Sequence, residues 1–461
     1  MSANMNDMTK GSPAKLIFFF SIPILLGNIF QQLYSMVDTI IVGRFIDFKA
    51  LAAVGATGSI SFLILGFVFG LSGGFAVITA QRFGARDEAG LRRSVATTIY
   101  LCLGTTIIMT SLSMLTVKPL LHAMNTPEDI FADAYTYIMI IFGGIGASLA
   151  YNMLACILRA LGDSKTPLFF LIISSVLNII LDLAFIILFH MGVAGAAWAT
   201  IISQGVSAVL CLLYIKKHYP ILHLRKEDFR TDWPFAWKHL AIGLPMAFQF
   251  SITAIGAIIL QGALNVLGSV KIAAFTVASK VEQLVSQPAG TFGVTMANYS
   301  GQNLGANQMK RIREGTKKSC LITLGFSVLA SLILIFFTEP LTRLFINNTE
   351  PEVIGEIIAG SKQYLMLSAL FFPFLNLLFI YRNVLQGMGR SFWPLMAGVA
   401  ELFLRSIVAF TLPAAMGFMG ICLAGPAAWI GACVLLFLSY RVIINKMDPR
   451  IKQPGPETES L

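Results

Sequence analysis

The sequence predicts an all-α polytopic membrane protein, with twelve transmembrane helices in two parallel-repeat six-helix bundles around a central cleft. Three observations carry that expectation. The 461 residues are 56% hydrophobic and only 12% charged, with a mean hydropathy of +0.77, a composition outside the range of soluble globular chains. Apolar stretches of the ~20 residues that cross a hydrocarbon layer recur along its whole length. The second half repeats the first.

Taken in order, the spans are expected at roughly 15–43, 50–80, 92–116, 130–158, 167–190, 192–216, 238–266, 272–300, 315–338, 353–386, 392–415 and 418–444. MSANMNDMTKGSPAK, ahead of the first, is a short polar lead followed by a full-length apolar span, which is not the pattern of a cleaved secretory signal. The cysteines at 102, 156, 211, 320, 422 and 433 lie in or beside apolar stretches with no CxxC pair, so they read as small packing residues.

Loop charge orients the bundle. The N-terminus, the loops after even-numbered spans and the C-terminal tail hold 25 of the 33 Lys and Arg, including Arg82, Arg86, Arg92 and Arg93, and Lys310, Arg311, Arg313, Lys317 and Lys318. The opposite loops hold six: Arg44, Lys49, Lys118, Lys271, Arg343 and Lys362. By the positive-inside rule both termini are cytoplasmic, which accounts for the net charge of +10 without nucleic acid as a partner.

Sliding the halves by about 221 to 227 residues brings Ser21-Ile22-Pro23 onto Gly243-Leu244-Pro245 and AQRFGARDEAGLRR onto GQNLGANQMKRIR. ILRALGDSKTP, from Ile157, likewise falls on VLQGMGRSFWP, from Val384. An even number of spans per repeat gives the halves one orientation and leaves a cleft between them. The expected division is an N-terminal lobe over 1–215, a basic cytoplasmic linker over 216–239, a C-terminal lobe over 240–446 and a cytoplasmic tail over 447–461.

Polar residues inside the spans mark the expected site. Asn178 and Asp182 stand one helical turn apart in span 5, and Asp38 lies in span 1. An acid at membrane depth costs roughly 2.5 to 3.5 kcal/mol even on lenient insertion scales, so it faces the protein interior. At 1.5 Å per residue, Asp38, Asp182 and Thr200 lie about 8, 12 and 13 Å below the outer ends of their spans, with Tyr137 at a similar depth and Tyr135 its rival. Two carboxylates, an amide, a hydroxyl and a phenol suit one proton or one hard cation, and two close carboxylates in low dielectric do not both stay ionised. A polar clamp that fixes helix packing is the alternative.

The C-terminal half lacks this set: the repeat places Leu260 or Ile259 opposite Asp38, and Ala409 opposite Asp182. Glu401 and Arg405 in span 11 stand i, i+4 and are expected to neutralise each other. Glu282 in span 8 is the candidate for holding a cationic cargo by charge and cation-π contact, with Gln31 and Gln249 as further cargo contacts. For Glu282 a hydrogen bond to a neighbouring helix is the alternative. Pro23 and Pro245, at matching places of the repeat, each remove a helical hydrogen bond and are candidate hinges, with packing kinks as the alternative. Gly66, Gly70 and Gly74 form a ladder that admits another helix.

The six-plus-six layout, the Pro then Asp of span 1, the Q-x-x-G-A closings after spans 2 and 8, the two Gly-Ser-Pro loops and the Asn178/Asp182 pair together resemble the multidrug and toxic compound extrusion (MATE) family, over essentially the whole chain, in its bacterial multidrug efflux form. The resemblance implies the MATE fold and an antiporter that alternates between inward-open and outward-open states in the plasma (inner) membrane, exchanging H+ or Na+ for organic, often cationic, drugs. It assigns the cation or proton site to Asp38, Asn178, Asp182, Thr200 and Tyr137, with Na+ a possible occupant at Asp38, Asn178 and Asp182. No cofactor is expected, the partners are small-molecule cations or drugs and the lipid bilayer, and the chain is expected to act as a monomer. A flippase for a lipid or lipid-linked precursor is the alternative function; it would need a cationic cleft for phosphate. An enzyme is not expected, since HExxH, a Walker loop and a DxxD cluster are all absent from the sequence.

The charge pattern is tested by fusing a topology reporter after Arg230, expected to read cytoplasmic, and another after Glu350, expected to read external. The reverse pattern overturns the span count.

Overall fold

In a bilayer each backbone polar group must be satisfied within the protein, and this chain meets that condition with helices. The computed structural model describes residues 6–124, 126–230, 232–345 and 351–447, among which there are sixteen α-helices and no strand. The expected tail past Met447, and Glu350, lie outside the described residues.

Packing divides the chain into two units. The first comprises Met1–Met8 and Phe18–Ile255, the second Thr9–Ile17 and Gly256–Leu461. Helix α1, Pro13–Phe45, leads into α2, Phe48–Gly84, and α3, Glu88–Ala123. Next come α4, Glu128–Gly143, α5, Ile145–Ala160, α6, Lys165–Leu183, α7, Gly192–His218, and α8, Trp233–Asn265. In this unit α2 packs on α3, α4 and α5, and α7 packs on α4, α5 and α6. The second unit has α9, Ser269–Val285, α10, Gln287–Gly305, α11, Met309–Arg343, and α12, Pro351–Gly387. It continues with α13, Phe392–Thr411, the short α14, Pro413–Met416, and α15, Phe418–Cys422, and ends in α16, Ala424–Met447. Here α12 is the central strut, packed on α9, α10, α11 and α16.

Ten helical segments of the described residues are long and apolar enough to cross a membrane, and the pair α4 and α5, bent by 48° at Gly144, makes an eleventh. At the bend the backbone comes so close to α7 that a Cβ on Gly144 would lie 2.0 Å from Ile201 Cδ1. The span expected over 272–300 is broken into α9 and α10 at Ser286. Pro288 sits in the first turn of α10, where its missing N–H costs nothing, whereas a continuous helix would lose a hydrogen bond there.

The two halves make the same turns. Arg86 and Asn307 have φ of 56° and 55°, and Gly162 and Gly389 have φ of 81° and 73°. Each closes its helix alike: Asp87 N bonds Arg82 O at 3.1 Å, Gln308 N bonds Asn303 O at 2.8 Å, Asp163 N bonds Leu158 O at 3.0 Å and Arg390 N bonds Leu385 O at 2.8 Å. This is the Schellman closure, which needs one left-handed residue after the helix. The matching motifs of the sequence repeat are therefore matching helix ends. In the first half Asp163 also caps α6, accepting from Lys165 N at 2.9 Å and Thr166 N at 3.0 Å. Tyr219, at the end of α7, donates its hydroxyl to the same carboxylate.

The expected linker packs against α3 in the first unit. Arg92 pairs with Asp228 at 3.4 Å, Arg93 with Asp232 at 2.9 Å, and the rings of Tyr100 and Phe229 meet edge to face at 5.5 Å. The packing boundary falls past the linker, inside α8, so the first part of the lobe expected from residue 240 belongs to the first unit. The glycine ladder of α2 is the reason. A Cβ on Gly74 would stand 2.4 Å from Gly243 Cα, and one on Gly70 2.8 Å from Met246 O. The run Gly70-Leu71-Ser72-Gly73-Gly74 has the spacing of a hydrolase nucleophile elbow, but it lies within α2, where Ser72 Oγ donates to Phe69 O at 3.1 Å and accepts from Asn152 at 2.7 Å.

Without a hydrophobic drive between helices in lipid, such close contacts are what hold them together. Gly74→Ala is expected to lower the thermal midpoint of the purified protein, at a cost of about 1 to 3 kcal/mol for overpacking. Gly104→Ala, where nothing lies within 4 Å, should leave the midpoint unchanged or raise it, through about 1 kcal/mol of helix propensity. Equal effects of the two substitutions would show that the α2–α8 contact contributes nothing.

Candidate functional site

Asp38 projects from the last third of α1, and Asn178 and Asp182 from successive turns of α6. Asn178 is 1% exposed and Asp182 0%. The carboxyl groups of Asp38 and Asp182 lie close enough for each to act on the charge of the other. A hydrogen bond between two such groups would need a proton on one of them, because an ionised carboxyl only accepts.

The remaining expected residues gather round this pair. Asn178 Nδ2 points to Thr200 Oγ1 of α7 at 3.5 Å, the outer limit of a hydrogen bond. The phenol of Tyr137, on α4, lies within electrostatic reach of both acids. Its rival Tyr135 packs, as Tyr137 also does, against the apolar core of α2 to α5. Tyr34 is a member that the sequence reading missed, and its phenol is also within reach of both acids. The signal was present: Tyr34 precedes Asp38 by four residues and shares its helix face.

What surrounds the pair differs above and below. Ile41, Val42, Ala50, Ile186, Val193 and Ala196 form a buried apolar cluster on the side of the α1 C-terminus. In the other direction a cavity of about 180 Å³ begins at Tyr34 and Asn178 and runs past Gln31, Asn152 and Ser203 to Arg159 at the end of α5. Gln31 and Pro23 line it. Just after Asp182, residues Ala184–Leu188 form a π-helical turn, a local widening that is common beside functional residues. Pro23 and Pro245 both lie inside unbroken helices.

Gln249, on α8, is 9% exposed in the first unit. In the second unit Glu282 Oε2 accepts from Tyr364 Oη at 2.6 Å, and the Phe275 and Tyr364 rings meet edge to face at 5.0 Å. Glu401 does not pair with Arg405 as the i, i+4 spacing suggested. Its carboxylate is bound by Arg382, brought in on α12, and both side chains are largely buried, at 13% and 7% exposed. A cross-helix partner fixed by burial has replaced the exposed-helix pairing rule. Among the described residues no three His, Cys, Asp or Glu side chains cluster as a metal site.

The MatE family model matches residues 23–184 and 245–411, one segment in each half. The chain is similar to the probable multidrug resistance protein YpnP of Bacillus subtilis (strain 168), 29% identical over 440 residues that make up 94% of this chain and 96% of the relative. The probable multidrug resistance protein NorM of Thermotoga maritima is 27% identical over 427 residues, 90% of this chain and 88% of the relative. The solved outward-facing conformation of a multidrug resistance MATE family transporter of the MOP superfamily shares the fold, with a TM-score of 0.89 at 22% identity, covering 97% of this chain and 99% of that one. With most of its length matched, the chain belongs to the MatE family, the multidrug and toxic compound extrusion transporters whose motifs its sequence carries.

Proposed function

We propose that the protein is a secondary antiporter that exports organic, often cationic, compounds across the plasma membrane in exchange for H+, with both termini cytoplasmic. What supports H+ as the coupling ion is the approach of the Asp38 and Asp182 carboxyl groups, since two close acids in low dielectric do not both stay ionised. Tyr34 and Tyr137 lie within electrostatic reach of both acids, and the cavity that runs toward Arg159 starts beside them at Tyr34 and Asn178. The names of the two relatives above support drug export.

In this reading, protonation removes the repulsion between the acids and draws α1 against α6. Loss of the proton pushes them apart, and Pro23, which interrupts the hydrogen-bond ladder of α1, is where the helix yields. Cargo is held by Glu282 when the proton is absent, so that the proton and the cargo exclude each other. Na+ held by Asp38, Asn178, Asp182 and Thr200 is the second reading, favoured by the amide and hydroxyl oxygens beside the acids.

Asp38→Asn and Asp182→Asn should each lower proton-driven ethidium efflux from everted vesicles at least tenfold while leaving expression and thermal midpoint near those of the parent. Efflux at the parental rate in either variant rejects the site. Binding linkage gives an independent check, since cargo must lower proton affinity by the factor that protons lower cargo affinity. Ethidium added to the purified protein in weak buffer near pH 7 should release protons, and the double variant should release none. If Na+ but not pH shifts ethidium affinity, the ion is sodium.

A further inference from the structure

A second cavity of the first unit, of about 370 Å³, lies away from the buried acids, where three helices end or begin. Arg82 from the last turn of α2, Arg93 from α3 and Lys238 from α8 line it, together with Asp87 and Asp232. Three cations thus meet two acids, and both acids are already engaged. Asp87 caps α3, accepting from Gly90 N at 2.8 Å, and takes Arg82 Nη1 on its other oxygen at 2.8 Å. Asp232 caps α8, accepting from Phe235 N at 3.1 Å, and pairs with Arg93 at 2.9 Å. Lys238 is the surplus charge: it is exposed, and among the described residues it has no ion pair.

The two arginines are held before any ligand arrives. Their guanidinium carbons lie 4.5 Å (Arg93) and 5.8 Å (Arg82) from the centre of the Phe235 ring, which is itself buried in the cavity wall. A planar fork fixed against a ring and by one carboxylate has little freedom left to lose when its remaining donors take an anion. One such donor, Arg93 Nε, is buried and makes no hydrogen bond. The cavity also has a depth. Trp233 and Trp237, in the first turns of the membrane-crossing helix α8, are 68% and 51% exposed with their rings 5.9 Å apart, and exposed indoles at a helix end mark the headgroup layer. In the orientation proposed above, that layer belongs to the cytoplasmic leaflet.

We propose that this cavity binds a phosphate-bearing anion, with Lys238 as the point charge and the free donors of Arg82 and Arg93 as the hydrogen-bonding fork. Its source is an acidic phospholipid of the cytoplasmic leaflet or a soluble phosphate ester; the indoles beside it favour the lipid, since basic pockets between helices at this surface take anionic headgroups. A purely structural set of Arg–Asp struts would close without Lys238 and would leave no surplus cation on the cavity. The site is separate from the proton and cargo sites and does not depend on them.

Native mass spectrometry of the purified full-length protein, titrated with phosphatidylglycerol or with phosphatidylcholine of the same acyl chains, tests it. One Lys or Arg beside an anionic surface is worth about fivefold in affinity. The parent should therefore bind phosphatidylglycerol at least fivefold tighter than phosphatidylcholine, and Lys238→Gln should weaken phosphatidylglycerol at least threefold while changing phosphatidylcholine less than twofold. Lys217→Gln, at an exposed lysine near the end of α7, should change neither more than twofold. A calorimetric titration of the detergent-solubilised protein with glycerol 1-phosphate separates the sources: binding there that Lys238→Gln abolishes, without a preference between the two lipids, assigns the cavity to a soluble phosphate ester. No lipid preference together with no glycerol phosphate binding overturns the site, as does an unchanged affinity in Lys238→Gln or an equal loss in Lys217→Gln. If Lys238→Gln elutes as aggregate, acetylation of Lys238 in the parent is followed instead: a rate at least threefold slower with phosphatidylglycerol or glycerol 1-phosphate than with phosphatidylcholine supports the site, and equal rates overturn it.

Discussion

The approach of two acids, Asp38 on α1 and Asp182 on α6, constrains everything around them. Were both ionised, at an effective dielectric of 20 and a separation of 4 Å their repulsion would be about 4 kcal/mol. In the proposed mechanism the position of α1 therefore follows the charge state of Asp38 and Asp182. The surroundings give this sensitivity a direction. An apolar cluster lies on one side of the pair, and a cavity that starts beside it at Tyr34 and Asn178 lies on the other. Asp182 is followed at once by a π-helical turn, whose wider backbone is easier to rearrange than a regular α-helix.

How much of this was legible in the sequence depends on the range of the interaction. Helix positions follow from apolar runs, and the paired turns at Arg86 and Asn307 and at Gly162 and Gly389 follow from local backbone chemistry that the repeat motifs carry openly. Asp38, Asn178 and Asp182 were legible because an acid at membrane depth is conspicuous by cost alone. Tyr34 was missed although its i−4 spacing from Asp38 was visible, since a phenol in a membrane helix is too common to stand out. The partner of Glu401 was not legible. Arg405 is its neighbour along the helix, but Arg382 reaches it across a helix contact that only the packing reveals. The break at Ser286 could have been read from Pro288, yet apolarity continues through it, and hydropathy is blind to direction.

The same limit explains the division inside α8. Sequence punctuation put the boundary at the basic linker, where charge and proline change the composition. Close packing divides the chain further on, because Gly70 and Gly74 bring the backbone of the first part of α8 against α2. A change of composition and a change of packing partner need not coincide in a bundle of long helices.

Charge accounting connects the two proposed sites. An elementary charge crossing 100 mV gains about 2.3 kcal/mol, which supports a roughly 50-fold gradient. Exchange of one proton for one monovalent cation moves no net charge, so the membrane potential contributes nothing and only the pH difference drives export. Exchange of one proton for a molecule of zero net charge carries the full elementary charge inward and draws on the potential as well. For a single-proton site such as the one proposed at Asp38 and Asp182, the charge of the cargo therefore decides how steep a gradient that one proton can sustain.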